Sequence, residues 1–458
     1  MRTHWACVVM CAIPLLLAGP ASAQWSSPTS VGVMKGIPVP GLSPSVSTAQ
    51  CGKSVVAGFT DVEPTSSNSR DGYAVSSDGG VTFRDLGVLP ASTANAGFGP
   101  DALTGQVSLA CANSQLFYYA STFFPDQPDT FPCDPLCTAI SVSISKDGGV
   151  TWGLPVMAAR ASFDTHSIFS PSIAVDPTSL PRIYVAYLDI NDIGPFDFFF
   201  PECDRTGGVT ELRLARSIDG GKTWTTAPID HACGLSTDSE TEGALESPNV
   251  VISPGGKVYI TYEFHPFGGL AIPGSNEIRF TRSVNQGQTF STPFVVSKDA
   301  IDNAVPRLAV DRTTSSFRGA IYLTWPGMPR GTTTEVLMSD SLNQGVSFSF
   351  PRSVRGTSVG TQVNPVVAVD NDGQVATCYY VTSTNTPTST STYFYNCLTS
   401  FNHTATWASY QKLATSTPPG FDALTTDFLL TNDGFFTAFG TQNNSGQIRV
   451  VGSVSDNP

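Results

Sequence analysis

Acidic side chains and histidines gather between residues 164 and 307 of this 458-residue chain, the region that also carries its longest repeat insertion. The candidates for acid–base work there are Asp164, His166, Asp189, Glu246, Glu263, His265 and Arg307. Carboxylates crowded into one narrow cleft repel each other, and the repulsion raises one pKa enough to keep a proton donor near neutral pH. Paired carboxyl groups of unequal pKa suit glycosidic-bond chemistry, one group supplying a proton while the other serves as base or nucleophile. Arg307 could instead neutralise the acids and leave a structural salt-bridge cluster. The run Phe196-Asp197-Phe198-Phe199-Phe200 adds flat rings of the kind that stack on sugar planes. No cofactor motif accompanies these residues. No metal site is read either: no two cysteines show the CxxC spacing, and no histidine stands beside them at finger-like distance.

The scaffold that must hold these groups is a repeat. A Ser-x-Asp/Asn-x-Gly-x-Thr/Ser-aromatic pattern recurs as SSDGGVTF from Ser76, SKDGGVTW from Ser145, SIDGGKTW from Ser217, SVNQGQTF from Ser283, SLNQGVSF from Ser341 and a degraded SFNHTATW from Ser400. Ahead of each box lie two apolar strands, such as SPNVVIS from Ser247 and KVYITY from Lys257. The copies start at 43, 101, 170, 247, 305, 364 and 422, a base period near 58 with two enlarged copies. Each copy supplies four antiparallel strands, which is a propeller blade. The last copy ends after QIRVVGSV from Gln447 without a box, while Gln24-Trp25-Ser26-Ser27-Pro28 resembles the tail of one. The expected fold is therefore an all-β, seven-bladed β-propeller with the ring closed by the N-terminal strand, Trp25 to Val33 pairing with the strand that ends near Val454. Such closure removes two exposed sheet edges.

Residues 1–23 read as an export signal: Arg2, an apolar run from Ala6 to Ala18, and Ala21-Ser22-Ala23 before Gln24. That leaves 24–458 as a single propeller domain, secreted or periplasmic. Of 24 basic residues, loss of Arg2 leaves 23 against 37 acidic ones, a net charge of −14 that argues against nucleic acid or an anionic membrane as partner. No later stretch is long and apolar enough for membrane insertion as a helix. Eight cysteines remain after the signal, an even number that favours disulfides. Cys51 with Cys111 would tie neighbouring repeats, Cys378 with Cys397 would bridge two strands of one, and Cys133 with Cys137 and Cys203 with Cys233 would staple long loops.

The boxes resemble those of the sialidase-like, or BNR-repeat, propellers, and the resemblance covers nearly the whole chain after residue 23. It implies that Asp78, Asp147, Asp219, Asn285, Asn343 and Asn402 are turn residues on the face away from the ligand. It also implies a binding face made by the loops entering each first strand, here Asp164 to His166, Asp238 to Glu246 and Asp299 to Arg307. The loops after each second strand complete that face: Asp61 to Glu63, Asp189 to Asp204 and Glu263 to His265. Sialidases carry a Phe/Tyr-Arg-Ile-Pro motif and two further arginines that clamp a carboxylate. This sequence has only Lys35-Gly36-Ile37-Pro38 there, which argues against sialidase activity. Three readings stay open: a glycoside hydrolase or polysaccharide lyase, a non-catalytic propeller binding a glycan or a surface protein, and a structural extracellular module. Each is read as a monomer.

Overall fold

The computed structural model describes residues 24–33, 45–62, 69–90, 103–123, 137–162, 165–191, 209–234, 242–266, 276–302, 304–329, 333–354, 360–384, 392–408, 410–416, 426–431, 434–442 and 448–456. β1 (Gln24–Trp25) and β2 (Thr29–Val33) precede the first repeat, which folds as β3 (Val46–Cys51), β4 (Ser54–Val62), β5 (Ser69–Ser76) and β6 (Arg84–Val88). The second supplies β7 (Leu103–Cys111), β8 (Phe117–Phe123), β9 (Cys137–Ser145) and β10 (Val156–Ser162). The third supplies β11 (His166–Asp176), β12 (Arg182–Asn191), β13 (Val209–Ser217) and β14 (Thr225–Cys233). The fourth has β15 (Gly243–Ile252), β16 (Val258–Pro266), β17 (Asn276–Ser283) and β18 (Phe294–Ala300), and the fifth β19 (Arg307–Val310), β20 (Ile321–Gly327), β21 (Glu335–Ser341) and β22 (Arg352–Ser353). The sixth has β23 (Gln362–Val369), β24 (Val375–Thr382), β25 (Tyr393–Ser400) and β26 (Gln411–Ser416), and β27 (Thr426–Thr431), β28 (Gly434–Gln442) and β29 (Ile448–Asp456) follow.

Strand pairing corrects the expected seven-bladed ring closed by the N-terminal strand. The described strands form six hydrogen-bonded sheets, of which four are separate four-stranded blades. The fourth and fifth repeats are continuous in one eight-stranded sheet, and β1 and β2 both lie on β29 in a five-stranded one. The fusion passes through Ala300, which pairs with Gly327. A Cβ on Gly327 would stand 2.7 Å from the Asp299 carbonyl oxygen, so only glycine lets β20 come this close to β18. Repeat counting could not see this, because the sequence period marks units of chain while a sheet boundary depends on whether two edges hydrogen-bond.

In the first six repeats the boxes make the same turn. Asp219 accepts hydrogen bonds from the backbone N–H of Lys222 and Thr223 and from the Thr223 hydroxyl, and those Thr223 bonds hold its carboxyl below the usual range. The Ser217 hydroxyl accepts the Gly221 N–H at 2.9 Å. In the sixth box His403 and Thr404 stand at φ of 52° and 68°, the left-handed region that paired glycines occupy in the first three boxes. Side-chain acceptors on the first strands then link one repeat to the next: Ser47 takes the Leu109 N–H, Ser108 that of Ile173, Ser172 that of Val250, and Asn249 that of Leu308. Tyr118, Tyr184, Tyr259 and Tyr322, one near the start of each of four consecutive second strands, are fully buried between neighbouring repeats. Cys51–Cys111 joins the first two repeats and Cys378–Cys397 bridges β24 and β25, with Cα separations of 6.2 and 4.1 Å. Cys233 is disulfide-bonded. Its expected partner Cys203, and Cys133, lie outside the described residues.

A second recurrent device is a bulge in the first strand. Ser170, Ser247, Val305 and Asn364 all precede a proline and all take positive φ, 53°, 52°, 45° and 51°. At three of these positions the strand register slips, between Phe169 and Ser172, between Glu246 and Asn249, and between Val363 and Val366. Bulges bend a strand and re-aim the side chains beyond them. Here the re-aimed residues include Glu246.

Candidate functional site

The strongest cluster of chemistry-bearing groups lies at the end of the fourth repeat opposite its box. Register places the box serine Ser283 against Val258 at the start of β16, whereas Glu263 and His265 sit at the strand's other end. Glu246 on β15 is directly opposite Glu263 on β16. Facing residues of an antiparallel pair hold their Cβ atoms about 5 Å apart, where two negative charges destabilise the sheet. One of the two therefore keeps its proton. Glu263 is 0% exposed, its Oε1 accepting from Asn276 Nδ2 at 2.6 Å and its Oε2 from the Ala304 N–H at 2.7 Å. Burial, reinforced by the Glu246 charge, pushes its carboxyl up to about 8 despite those two donors.

Glu246 is half-buried, and its pKa is also raised, by desolvation first and by Asp302, with His265 opposing. Asp302, in the segment leading from β18 to β19, is 66% exposed at its side chain and pairs with His265 Nδ1 at 2.9 Å. Glu246, Glu263 and Asp302 each place one carboxylate oxygen within 4.8 Å of the others. That donor set could take a hard divalent cation, or it could share protons among three unequal acids. Gly243 fixes the entry of β15, since a Cβ there would lie 2.3 Å from the His265 carbonyl oxygen. The bridge between Cys233 and Glu242 anchors the same corner.

A second constellation sits on the third repeat. His166 Nδ1 and Asp189 Oδ1 are 2.8 Å apart, and Arg213 Nε approaches Asp189 Oδ2 at 3.9 Å. Arg213 also bonds Glu211, which faces Asp189 across β12 and β13. The Asp189 hydrogen bond raises the His166 pKa above its ordinary value against the opposing effect of burial. Burial lifts the nearby Tyr187 hydroxyl to about 12.

The structure thus brings the candidate residues together in two groups, His166 with Asp189, and Glu246 with Glu263 and His265. Asp164 lies outside the described residues, as does the Phe196 to Phe200 run. Arg307 pairs with Thr324 on β20, at the position where Asn249, Ser172 and Ser108 carry the inter-repeat acceptor. Asp302, Asn276 and Glu211 were not singled out from sequence. Asp302 falls in the Asp299 to Arg307 loop assigned to the ligand face, which was its only signal. Asn276 and the Ala304 N–H reach Glu263 from separate segments, and no spacing announces that meeting.

No protein-family model matches the chain, and no curated protein matches it. Solved structures do. An ulvan lyase, described as a new family of polysaccharide lyase and bound to -[GlcA(1-4)Rha3S]-, is similar at 9% identity over 92% of this chain and 95% of that one, with a TM-score of 0.55. An α-L-arabinofuranosidase from Fusarium graminearum, in complex with an iminosugar inhibitor, is similar at 12% identity over 94% and 98%, with a TM-score of 0.50. A Hadza microbial sialidase is similar at 13% identity over 85% and 73%, with a TM-score of 0.49. The likeness is one of fold, and it defines the class: an all-β protein of the propeller kind. Among the described residues no helix is long and apolar enough to cross a membrane.

Proposed function

We propose that the chain is an exported, carbohydrate-directed propeller whose fourth-repeat acids cleave glycosidic bonds. The observation that carries this reading is the inequality of three close carboxyl groups: Glu263 buried and raised to about 8, Glu246 half-buried and raised, Asp302 exposed. Glu246 reaches solvent and serves as proton donor to the leaving oxygen. Asp302, oriented by His265, is the partner that faces the anomeric carbon. Glu263 is the buried floor of the site, holding its own proton mainly through desolvation. Oxygens within 4.8 Å suit the roughly 5 Å separation of retaining hydrolysis better than the roughly 6.5–9.5 Å that admits a water. Fold likeness to an ulvan lyase and an arabinofuranosidase supports the substrate class. The leader-like residues 1–23 and the disulfides support export. A sialidase reading lacks its arginine motif, and the Lys35 to Pro38 segment lies outside the described residues.

A lyase reading has its own observation, His166 held by Asp189 beside Arg213, a base near a cation suited to an acidic sugar. One assay separates the readings. The purified protein is incubated with neutral and acidic polysaccharides while reducing ends and the absorbance of unsaturated products are followed. Reducing ends without absorbance, lost in Glu246→Gln and Asp302→Asn, support hydrolysis. Absorbance lost in His166→Ala but kept in Glu246→Gln supports the lyase. Retention on a glycan without turnover leaves the binding propeller.

A further inference from the structure

The fifth repeat keeps an acid that the two repeats before it neutralise. Glu211, Glu277 and Glu335 each stand six residues ahead of a box serine, on the third, fourth and fifth repeats. Arg213 bonds Glu211, and Arg279 Nε bonds Glu277 at 3.0 Å, each arginine lying two residues further along the strand and so on the same face. In the fifth repeat that position is Leu337. Glu335 is 1% exposed, and neither of its carboxylate oxygens has a hydrogen-bond partner among the described residues. A buried carboxyl in this state is costly unless something positive meets it. A proton alone would leave its own O–H without an acceptor and the second oxygen without a donor, whereas a bound cation matches both oxygens at once.

The surroundings supply a second oxygen. Glu335 on β21 is directly opposite Gly327 on β20, and Gly327 is opposite Ala300 on β18, so the row beside the carboxyl has almost no side chain. Facing residues hold their Cβ positions about 5 Å apart. At the Cβ position that Gly327 lacks, the nearest polar atom is the Asp299 carbonyl oxygen, 2.7 Å away, with Leu337 Cδ1 at 2.6 Å as an apolar wall. That carbonyl accepts the Met328 N–H at 2.7 Å and keeps a second lone pair. Leu337 packs with Trp325, Ile278, Ala300 and Ala304, which puts this face of β21 at the seam between the fourth and fifth repeats. The Ala304 N–H also bonds Glu263, so the acids of the fourth repeat border the same seam and their field draws cations towards it. We propose that Glu335 and the Asp299 carbonyl oxygen hold a hard divalent cation of calcium's kind at this seam, with water completing its shell. The donors are oxygens alone, and calcium takes about 6–8 of them in flexible geometry, whereas magnesium demands a near-ideal octahedron. The ion does for Glu335 what arginine does for Glu211 and Glu277, and it reinforces a junction where β18 and β20 pair through one residue each.

The test is thermal melting and calorimetric titration of the full mature chain after exhaustive chelation, with calcium, magnesium or sodium chloride added back. Calcium should raise the melting temperature saturably, with one ion bound per chain, and magnesium should need about tenfold more or greater for the same rise. Glu335→Gln and Glu335→Leu should abolish the calcium response. In chelator Glu335→Leu should melt no lower than the parent, which separates loss of the ion from loss of the fold. Glu246→Gln combined with Asp302→Asn should respond to calcium as the parent does. No calcium response in the parent, an equal response to sodium or magnesium, or a response that survives Glu335→Leu would overturn the proposal. So would a response lost in Glu246→Gln with Asp302→Asn, which would give the ion to the three-acid cluster. None of these readouts uses glycan turnover, so this site and the proposed hydrolase stand or fall separately.

Discussion

Replacing Glu263 by glutamine tests whether a buried, protonated carboxyl underlies the site. The acid is raised from its ordinary value of 4.5 to about 8, so the folded state holds its proton more tightly than the unfolded chain does. Stability from this group is fully present below pH 4.5, erodes as pH rises, and is lost once the pH has passed 8. The full difference corresponds to about 5 kcal/mol, an upper figure comparable to the total stability of many domains. Glutamine keeps the shape and cannot ionise, and Asn276 can turn its amide to match it. Thermal or denaturant melts of parent and Glu263→Gln should therefore coincide near pH 4.5 and separate progressively towards pH 8, with the variant the more stable by several kcal/mol. A constant gap across that range would show that Glu263 does not change protonation on folding, and the proposed floor of the site would go with it.

The second constellation predicts that the His166 ring, followed by NMR, titrates above its ordinary 6.5 in the parent and falls in Asp189→Asn, because the Asp189 hydrogen bond is the main cause of the rise. Its contribution to stability is present below pH 6.5 and disappears as pH rises through the folded value. Glu335, 1% exposed with neither oxygen hydrogen-bonded among the described residues, stands six residues before its box serine as Glu211 and Glu277 do, but Leu337 replaces the arginine that pairs with each of those. Glu335→Leu should raise stability by about 1–4 kcal/mol, read from denaturant melts. Serine at Cys51 and Cys111 should cost about 2–4 kcal/mol in the same assay without altering glycan turnover. Gly243→Ala should lower turnover and stability together, since its methyl meets the His265 carbonyl.

Much of the local structure follows from residue order. The box turns form wherever Ser, Asp or Asn and Gly fall at their set spacing, because the side-chain bonds that close them stay within five residues, as Ser217, Asp219 and Thr223 show. Alternating apolar strands and the paired cysteines Cys51 with Cys111 and Cys378 with Cys397 could likewise be placed by register along the repeat. Acidic residues at the ends of the first and second strands were legible as a concentration of candidates. What they do to one another was not. The opposition of Glu246 and Glu263 depends on the slip at Ser247 and Pro248, which shifts one strand against the other by an amount that composition does not express. The proton on Glu263 depends on burial, and burial on Asn276 and Ala304 arriving from other segments. The described strands of the repeats form six sheets because Gly327 admits β18. Hydrogen bonds between residues near in the chain are decided by order alone, whereas desolvation and edge pairing are properties of the packed whole, which only the tertiary structure assembles.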